Sequence, residues 1–440
     1  MLLHKAAGVE DMEGDEGENI VKILRLSGGI CAVSGVMAGG VRDGRNGLAL
    51  IVGGGPAAGM FTANRLRAAP VQITAKRVGY GKISAIIANS GCANAFTGDE
   101  GYEKAIKMGD LVSSRFNIHA DEVAVASTGP IGKPLDMDLI TKQFQKVAKS
   151  LSDGPEGSSA AASAIMTTDT YRKEEAVAVF VRDAGQSAGS AGGRSAERCV
   201  ARIGGIAKGS GMIFPHLQEA TMLAFIYTDA ALSAETLRKC LREAVENSFN
   251  MIVVDGDMST NDMVLLVSSS TNDSSTSSAM RDESDEREMA AFQKGLDFVC
   301  MSLARMIARD GEGATKFMEV HVRGAASVED ARRAARAVAR SPLVKCSLFG
   351  EKPFWGRVIA ALGASDVEIE RKKLKMWVSG SRSDRILVAS DGRILNVMDA
   401  RRMLMGAREI RLEIDLGVGN SSATAWGCDL SYEYVRINAE

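Results

Sequence analysis

A chain of 440 residues, 45% of them apolar, is long enough to bury a large core and to divide into two or three domains. Its 53 Lys and Arg are balanced by 55 Asp and Glu, and no basic arm stands out, which argues against a nucleic-acid partner. The 7 cysteines are widely spaced with no CxxC pair, so neither a zinc site nor a secreted disulfide framework is expected, and a reducing compartment fits.

In chain order, the acidic start MLLHKAAGVEDMEGDEGENI has no apolar stretch resembling a signal peptide. No window approaches the ~20 apolar residues of a membrane span. The expectation is a cytoplasmic protein with no membrane partner. Short apolar runs, GLALIV from Gly47 and ISAIIANSG from Ile83, alternate with Gly-rich turns, and a helix is predicted from Glu100 to Phe116. The pattern is mixed α and β. LALIVGGGPAAGMF, from Leu48, reads as a strand, a tight glycine turn and the start of a helix. It misses the G-x-G-x-x-G register, and Lys76 and Arg77 stand where a dinucleotide site needs an acid.

Two polar, small-residue segments, DAGQSAGSAGGRSAE from Asp183 and TNDSSTSSAMRDESDERE from Thr271, read as exposed loops, the second leading into a helix through Ile307. SVEDARRAARAVARS is an amphipathic helix capped by Ser327 and closed by Pro342. The strand-like runs MWVSG and RILVAS that follow suit a smaller second domain.

Three stretches could carry chemistry. DGDMSTND, Asp255 to Asp262, begins like a calcium loop, but Thr260 replaces the required Gly and Leu266 the bidentate Glu, so no metal is expected. ASTGPIG, from Ala126, sets a Thr hydroxyl beside a Gly amide, a pair able to donate to a developing oxyanion, or an ordinary turn. Pro130 confines that pair to Thr128 and Gly129. In GGIAKGSGMIFPHLQEATMLAFIYTDA, Thr221 opens an apolar run behind a glycine-rich approach through Gly209, Gly211 and Pro215. As a cap it is unremarkable. As a nucleophile it needs a base, and cleavage at Ala220–Thr221 would supply one in the new α-amine; His216 is a rival base for an uncleaved chain.

Together these segments resemble the ornithine acetyltransferase family, also called glutamate N-acetyltransferase. The stretches carrying the resemblance include GVMAGGVRDG, FTANRLRAAPV, AIIANSGCANAFTG, ASTGPIGKPLDM, AIMTTDT, IGGIAKGSGMI, ATMLAFIYTDA, SFNMIVVDGDMSTND, DGEGATKF and SATAWGCDLSYEYVRINA, in family order from about Gly35. The resemblance implies an α+β protein with an αββα sandwich core over residues 1–315 and a smaller C-terminal α/β domain over 316–440. It implies self-cleavage between Ala220 and Thr221 into an alpha chain, 1–220, and a beta chain, 221–440, assembled as an alpha2beta2 heterotetramer. Thr221 would take acetyl from N-acetylornithine and pass it to glutamate, with Thr128 and Gly129 as the oxyanion pair. Thr167, Lys208, Thr221, Glu312 and Asn438 match substrate-binding positions; Lys208 suits a carboxylate and Glu312 the ornithine ammonium. No cofactor is implied beyond acetyl-CoA as an additional acetyl donor. The alternatives are a self-processing amidase or aminopeptidase, in which water takes the acyl group, and an inactive amino-acid-binding relative. Three departures from the family pattern stand out: the long HLQEA before Thr221, Lys352 and Phe354 in FGEKPFWGR, and an end at Glu440 short of the usual hydroxyl-bearing tail, which leads to an expectation of weaker transfer.

Overall fold

The computed structural model describes residues 21–182, 197–215, 222–269, 285–380 and 385–439. The two segments read as exposed loops therefore lie almost wholly outside the described residues, as do His216, Ala220 and Thr221.

One nine-stranded sheet dominates. Its strands are β1 (Val21–Arg25), β2 (Met37–Asp43), β3 (Asn46–Phe61), β4 (Lys82–Ser90), β5 (Val123–Thr128), β6 (Lys173–Arg182), β7 (Glu197–Lys208), β8 (Leu223–Thr228) and β10 (Met263–Ser268). The path runs β1-β6-β7-β8-β10-β3-β4-β5, with β2 pairing β3. The sheet folds over on itself at β3, because residues 46–56 of that strand pair with β2 and β4 while its far end, Ala57 to Phe61, pairs antiparallel with β10. The bend is the GGGP stretch. Here the structure corrects the expected turn and helix: β3 is a single strand of 16 residues with a register shift between Val52 and Gly55. Glycine serves the crossing and not a reversal. Gly53 has φ +138°, and a Cβ on Gly54 would lie 2.2 Å from the Ile83 carbonyl oxygen.

Alternation along the strands builds four layers. Leu223, Phe225 and Tyr227 of β8 and Met263, Leu265 and Val267 of β10 meet Ile83, Ile86 and Ala88 of β4 between the two halves of the sheet. The opposite face of β4 and β5 packs Ala85, Ile87, Val123 and Val125 against helices α1 (Ala69–Val78), α2 (Gly98–Phe116) and α3 (Met137–Val147). Beyond the other half, Ala224, Ile226, Val264 and Leu266 meet α5 (Ala234–Glu246) and α6 (Glu286–Arg309). The order is αββα. Helix α4 (Pro155–Ile165) adds Ala161, Ala162 and Ile165 to the interior between the sheet halves.

The second sheet has seven strands: β9 (Ile252–Val253), β11 (Phe317–Ala325), β12 (Lys375–Gly380), β13 (Ile386–Ser390), β14 (Arg393–Ile394), β15 (Glu409–Asp415) and β16 (Ser421–Cys428). With it come α7 (Val328–Arg340), α8 (Pro342–Phe349), α9 (Trp355–Gly363), α10 (Val397–Leu404) and α11 (Tyr432–Ala439). Met318, Val320 and Val322 of β11 point to α7 and join the core that includes α6, so the two sheets share one apolar interior. The predicted α7 has its Ser327 cap, which accepts from the Asp330 amide at 3.1 Å, and Pro342 opens α8 at a position where its missing N–H costs nothing. Phe354, one of the departures from the family pattern, is buried against Trp355 with ring centroids 4.7 Å apart. Among the described residues no helix is long and apolar enough to cross a membrane.

Candidate active site

Strand ends and the loops that follow them converge on a cleft of about 740 Å³. Every described residue singled out from the sequence as a site residue lines it: Thr128, Gly129, Thr167, Lys208, Glu312 and Asn438. Met222 and Leu223, which follow Thr221 in the chain, line it too.

Thr128 ends β5, and the chain then turns through Gly129 at φ +137°, a conformation a side chain resists. A Cβ there would also sit 2.6 Å from the Cys92 amide nitrogen. The turn is tied down by Cys92 N–H donating to the Thr128 carbonyl at 3.2 Å and Ala93 N–H to the Pro130 carbonyl at 3.1 Å. Lys208 ends β7, opposite Leu223 of β8 in the antiparallel ladder. Its ammonium donates to Thr167 Oγ1 at 2.8 Å and to Thr128 Oγ1 at 3.2 Å. Three segments distant in sequence are thus joined through one nitrogen.

Glu312 follows α6, and its amide donates to the Ser210 carbonyl at 3.0 Å. Its carboxylate lies against Gly211, where a Cβ would fall 2.2 Å from Glu312 Cδ, so any larger residue would displace the acid. Asn438, on α11, donates to Glu312 Oε2 at 2.8 Å. That helix is held near the acid by Ser431 Oγ, which donates to the Gly313 carbonyl at 2.6 Å.

Behind Lys208 runs a chain of buried charges absent from the sequence reading. Asp169 lies 3.9 Å from Lys208 Nζ and 2.7 Å from Lys173 Nζ; Lys173, wholly buried, lies 2.5 Å from Asp310. Asp169 also accepts from the Gly209 amide at 2.7 Å and the Thr167 amide at 3.0 Å, so a single carboxylate orients both segments that deliver Lys208 and Thr167. Burial pushes the Asp169 carboxyl up, but the Lys208 and Lys173 ammoniums overcome it and the group sits well below the ordinary range. Lys208 is depressed, chiefly by burial and with Lys173 adding repulsion, while Asp169 and Glu312 pull the other way. Lys208 is a near-buried cation with carboxylates behind it and the cleft in front, a disposition that can receive an anionic group.

The acids of DGDMSTND divide in role. Asp255 accepts from the amides of Met212, at 2.6 Å, and Ile213, at 2.9 Å, and so anchors the floor of the cleft. Asn261 donates to the carbonyls of Ala93, at 2.6 Å, and Ser127, at 2.9 Å, tying this loop to the Thr128 turn. Asp262 lines the cleft and is 2% exposed. The sequence placed AIMTTDT and DGDMSTND among its telling segments but offered no sign that Asp169 and Asp262 would be buried, since isolated loop acids are usually solvated.

A cleft at the strand ends of an αββα sandwich, lined by a glycine turn and a buried lysine, defines an α+β protein. The chain belongs to the ArgJ family, which matches residues 33–440. It is 46% identical over 419 residues to a protein of Methanosarcina mazei named glutamate N-acetyltransferase, covering 94% of this chain and 99% of that one. It is 43% identical over 422 residues to the arginine biosynthesis bifunctional protein ArgJ of Symbiobacterium thermophilum, covering 94% and 98%. Among solved structures, the arginine biosynthesis bifunctional protein argJ of Bacillus halodurans matches at 36% identity and a TM-score of 0.43, over 48% of this chain and 95% of that one.

Proposed function

We propose that this chain is an acyltransferase of arginine biosynthesis that moves acetyl from N2-acetyl-L-ornithine to L-glutamate, yielding ornithine and N-acetylglutamate. The chain cuts itself between Ala220 and Thr221. The new α-amine of Thr221 takes the proton of the neighbouring hydroxyl, which attacks the acetyl carbon and holds the group as an ester. Thr128 and Gly129 donate to the oxyanion, Lys208 receives the α-carboxylate beside Thr167, and Glu312 with Asn438 receives the distal ammonium. The observation that carries this reading is the convergence of Thr128, Lys208, Thr167 and Glu312 on one cleft that Met222 also lines.

The alpha2beta2 assembly, the cytoplasmic setting and the use of acetyl-CoA as an additional acetyl donor belong to the same proposal. Incubation with N-acetylornithine tests it: acetylglutamate that forms only when glutamate is present supports transfer. Free acetate at an undiminished rate without glutamate would make the chain an amidase. A mass spectrum of the purified protein is expected to give fragments ending at Ala220 and beginning at Thr221, and Thr221→Ala a single uncut chain.

A further inference from the structure

One carboxyl in the cleft is left without a task by the mechanism above. Asp262 Oδ2 is buried and finds no hydrogen-bond partner among the described residues, although leaving a buried polar atom unmatched is destabilising. The backbone fixes where it sits. The Asp262 carbonyl accepts from the Thr62 amide at 3.2 Å, the next amide, Met263, donates to the Met222 carbonyl at 2.8 Å, and the preceding Asn261 is tied to Ser127 and Ala93. The backbone at Asp262 is therefore held in the cleft wall, between the Thr128 turn and the start of β8.

We propose that Asp262 is the general acid and base for the substrate nitrogen, a role that rests on the acetyl-transfer reading. Burial pushes the Asp262 carboxyl well above the ordinary range, against the smaller opposing pull of Thr62 and Lys208, a direction that favours the proton-carrying form such a role requires. In the first half-reaction the Thr221 oxygen bonds to the acetyl carbon and its proton passes to the Thr221 α-amine. The amide C–N bond breaks, the nitrogen takes the Asp262 proton, and ornithine departs as the amine, gaining a proton from water. In the second half, glutamate releases one ammonium proton to water and its amine attacks the ester. The Thr221 oxygen leaves with the proton held on its own α-amine, and the second proton of the attacking nitrogen passes to the Asp262 carboxylate. Atoms and charges return to their starting state.

Leaving-group dependence tests this. An aryl ester such as p-nitrophenyl acetate acylates the enzyme without protonation of its leaving group, whereas N-acetylornithine requires it. In self-cleaved Asp262→Asn, acylation by N-acetylornithine is expected to fall ~10²–10⁴-fold, while the aryl ester still gives a burst of about one equivalent of nitrophenol at close to the wild-type rate. Equal losses with both donors would reduce Asp262 to a structural residue, and an unchanged rate with N-acetylornithine would remove it from the reaction; either overturns the assignment. Should Asp262→Asn not process itself, the same donor comparison is read on Asp262→Glu, where a selective loss with the amide donor supports the role and an equal loss overturns it. If the wild-type protein makes no acetylglutamate from N-acetylornithine, the transfer reading itself fails, and this role with it.

Discussion

Lys208 Nζ stands 3.2 Å from Thr128 Oγ1 and bridges to Thr167 Oγ1 at 2.8 Å, so the end of β7, the Thr128 turn and the segment after α4 meet at one cation. Replacing it with Met keeps the stem and removes the charge. Losing a charge-assisted bond to a substrate carboxylate costs about 1.5–3 kcal/mol, which is expected to raise KM for N-acetylornithine roughly ten- to a hundred-fold. Steady-state kinetics of Lys208→Met, with self-cleavage checked by mass, decide it.

The same lysine sets a pH dependence. Its folded pKa is depressed, chiefly by burial, so the ammonium is lost at a lower pH than an ordinary lysine as pH rises. Carboxylate binding is complete below that depressed value and weakens above it. KM for N-acetylornithine is therefore expected to climb on the alkaline side before free lysine titrates, and a flat profile up to the ordinary lysine range would contradict the placement of charge.

Asp169→Asn tests the buried charge chain. It leaves Lys173 facing Asp310 alone and removes the nearest negative charge from Lys208. Breaking such a buried pair on one side costs about 3–5 kcal/mol, to be read as a lower urea midpoint at an unchanged slope. Because the native carboxyl lies below its unfolded value, wild-type stability gains from this group above the unfolded pKa and loses that gain as pH falls toward the depressed native value; the variant lacks this acid sensitivity.

Gly211→Ala places a methyl where Glu312 now lies, since the added Cβ would fall 2.2 Å from Cδ. The acid must move, and Asn438 loses its 2.8 Å partner. The cost to folding is expected to be small, because the atoms displaced are the end of a flexible side chain, while kcat/KM for N-acetylornithine falls further than that for a donor lacking the distal ammonium. Equal losses for both donors would remove Glu312 from ammonium recognition.

Arg336 of α7 donates to the Pro215 carbonyl at 2.7 Å and stacks over the Phe214 ring at 4.2 Å from its centroid, with Arg340 at 4.6 Å. The second sheet's helix thus grips the chain just before the segment that carries the cleavage site. Arg336→Met is expected to slow the appearance of the two fragments several-fold on a time course by mass, while fragments once formed transfer acetyl at the wild-type rate. Processing at an unaltered rate would show that the grip has no part in cleavage.

By itself the sequence determined the elements whose local signals agree. Helix α7 was legible because its alanines and valines recur at helical spacing behind a Ser cap, and α2 because an apolar stripe runs to Phe116. Ordered motifs also identified the residues that line the cleft. GGGP was misread because glycine signals a turn locally, whereas its conformation is decided by strands that pair on either side of it: β4 up to Pro56, β10 from Ala57 on. The same separation hid the charges. Asp169 and Asp262 are ordinary loop acids until α6, β7 and β8 close over them, and only that burial, brought about by contacts distant in sequence, holds one as a carboxylate between two lysines and pushes the pKa of the other up, with an oxygen unmatched among the described residues.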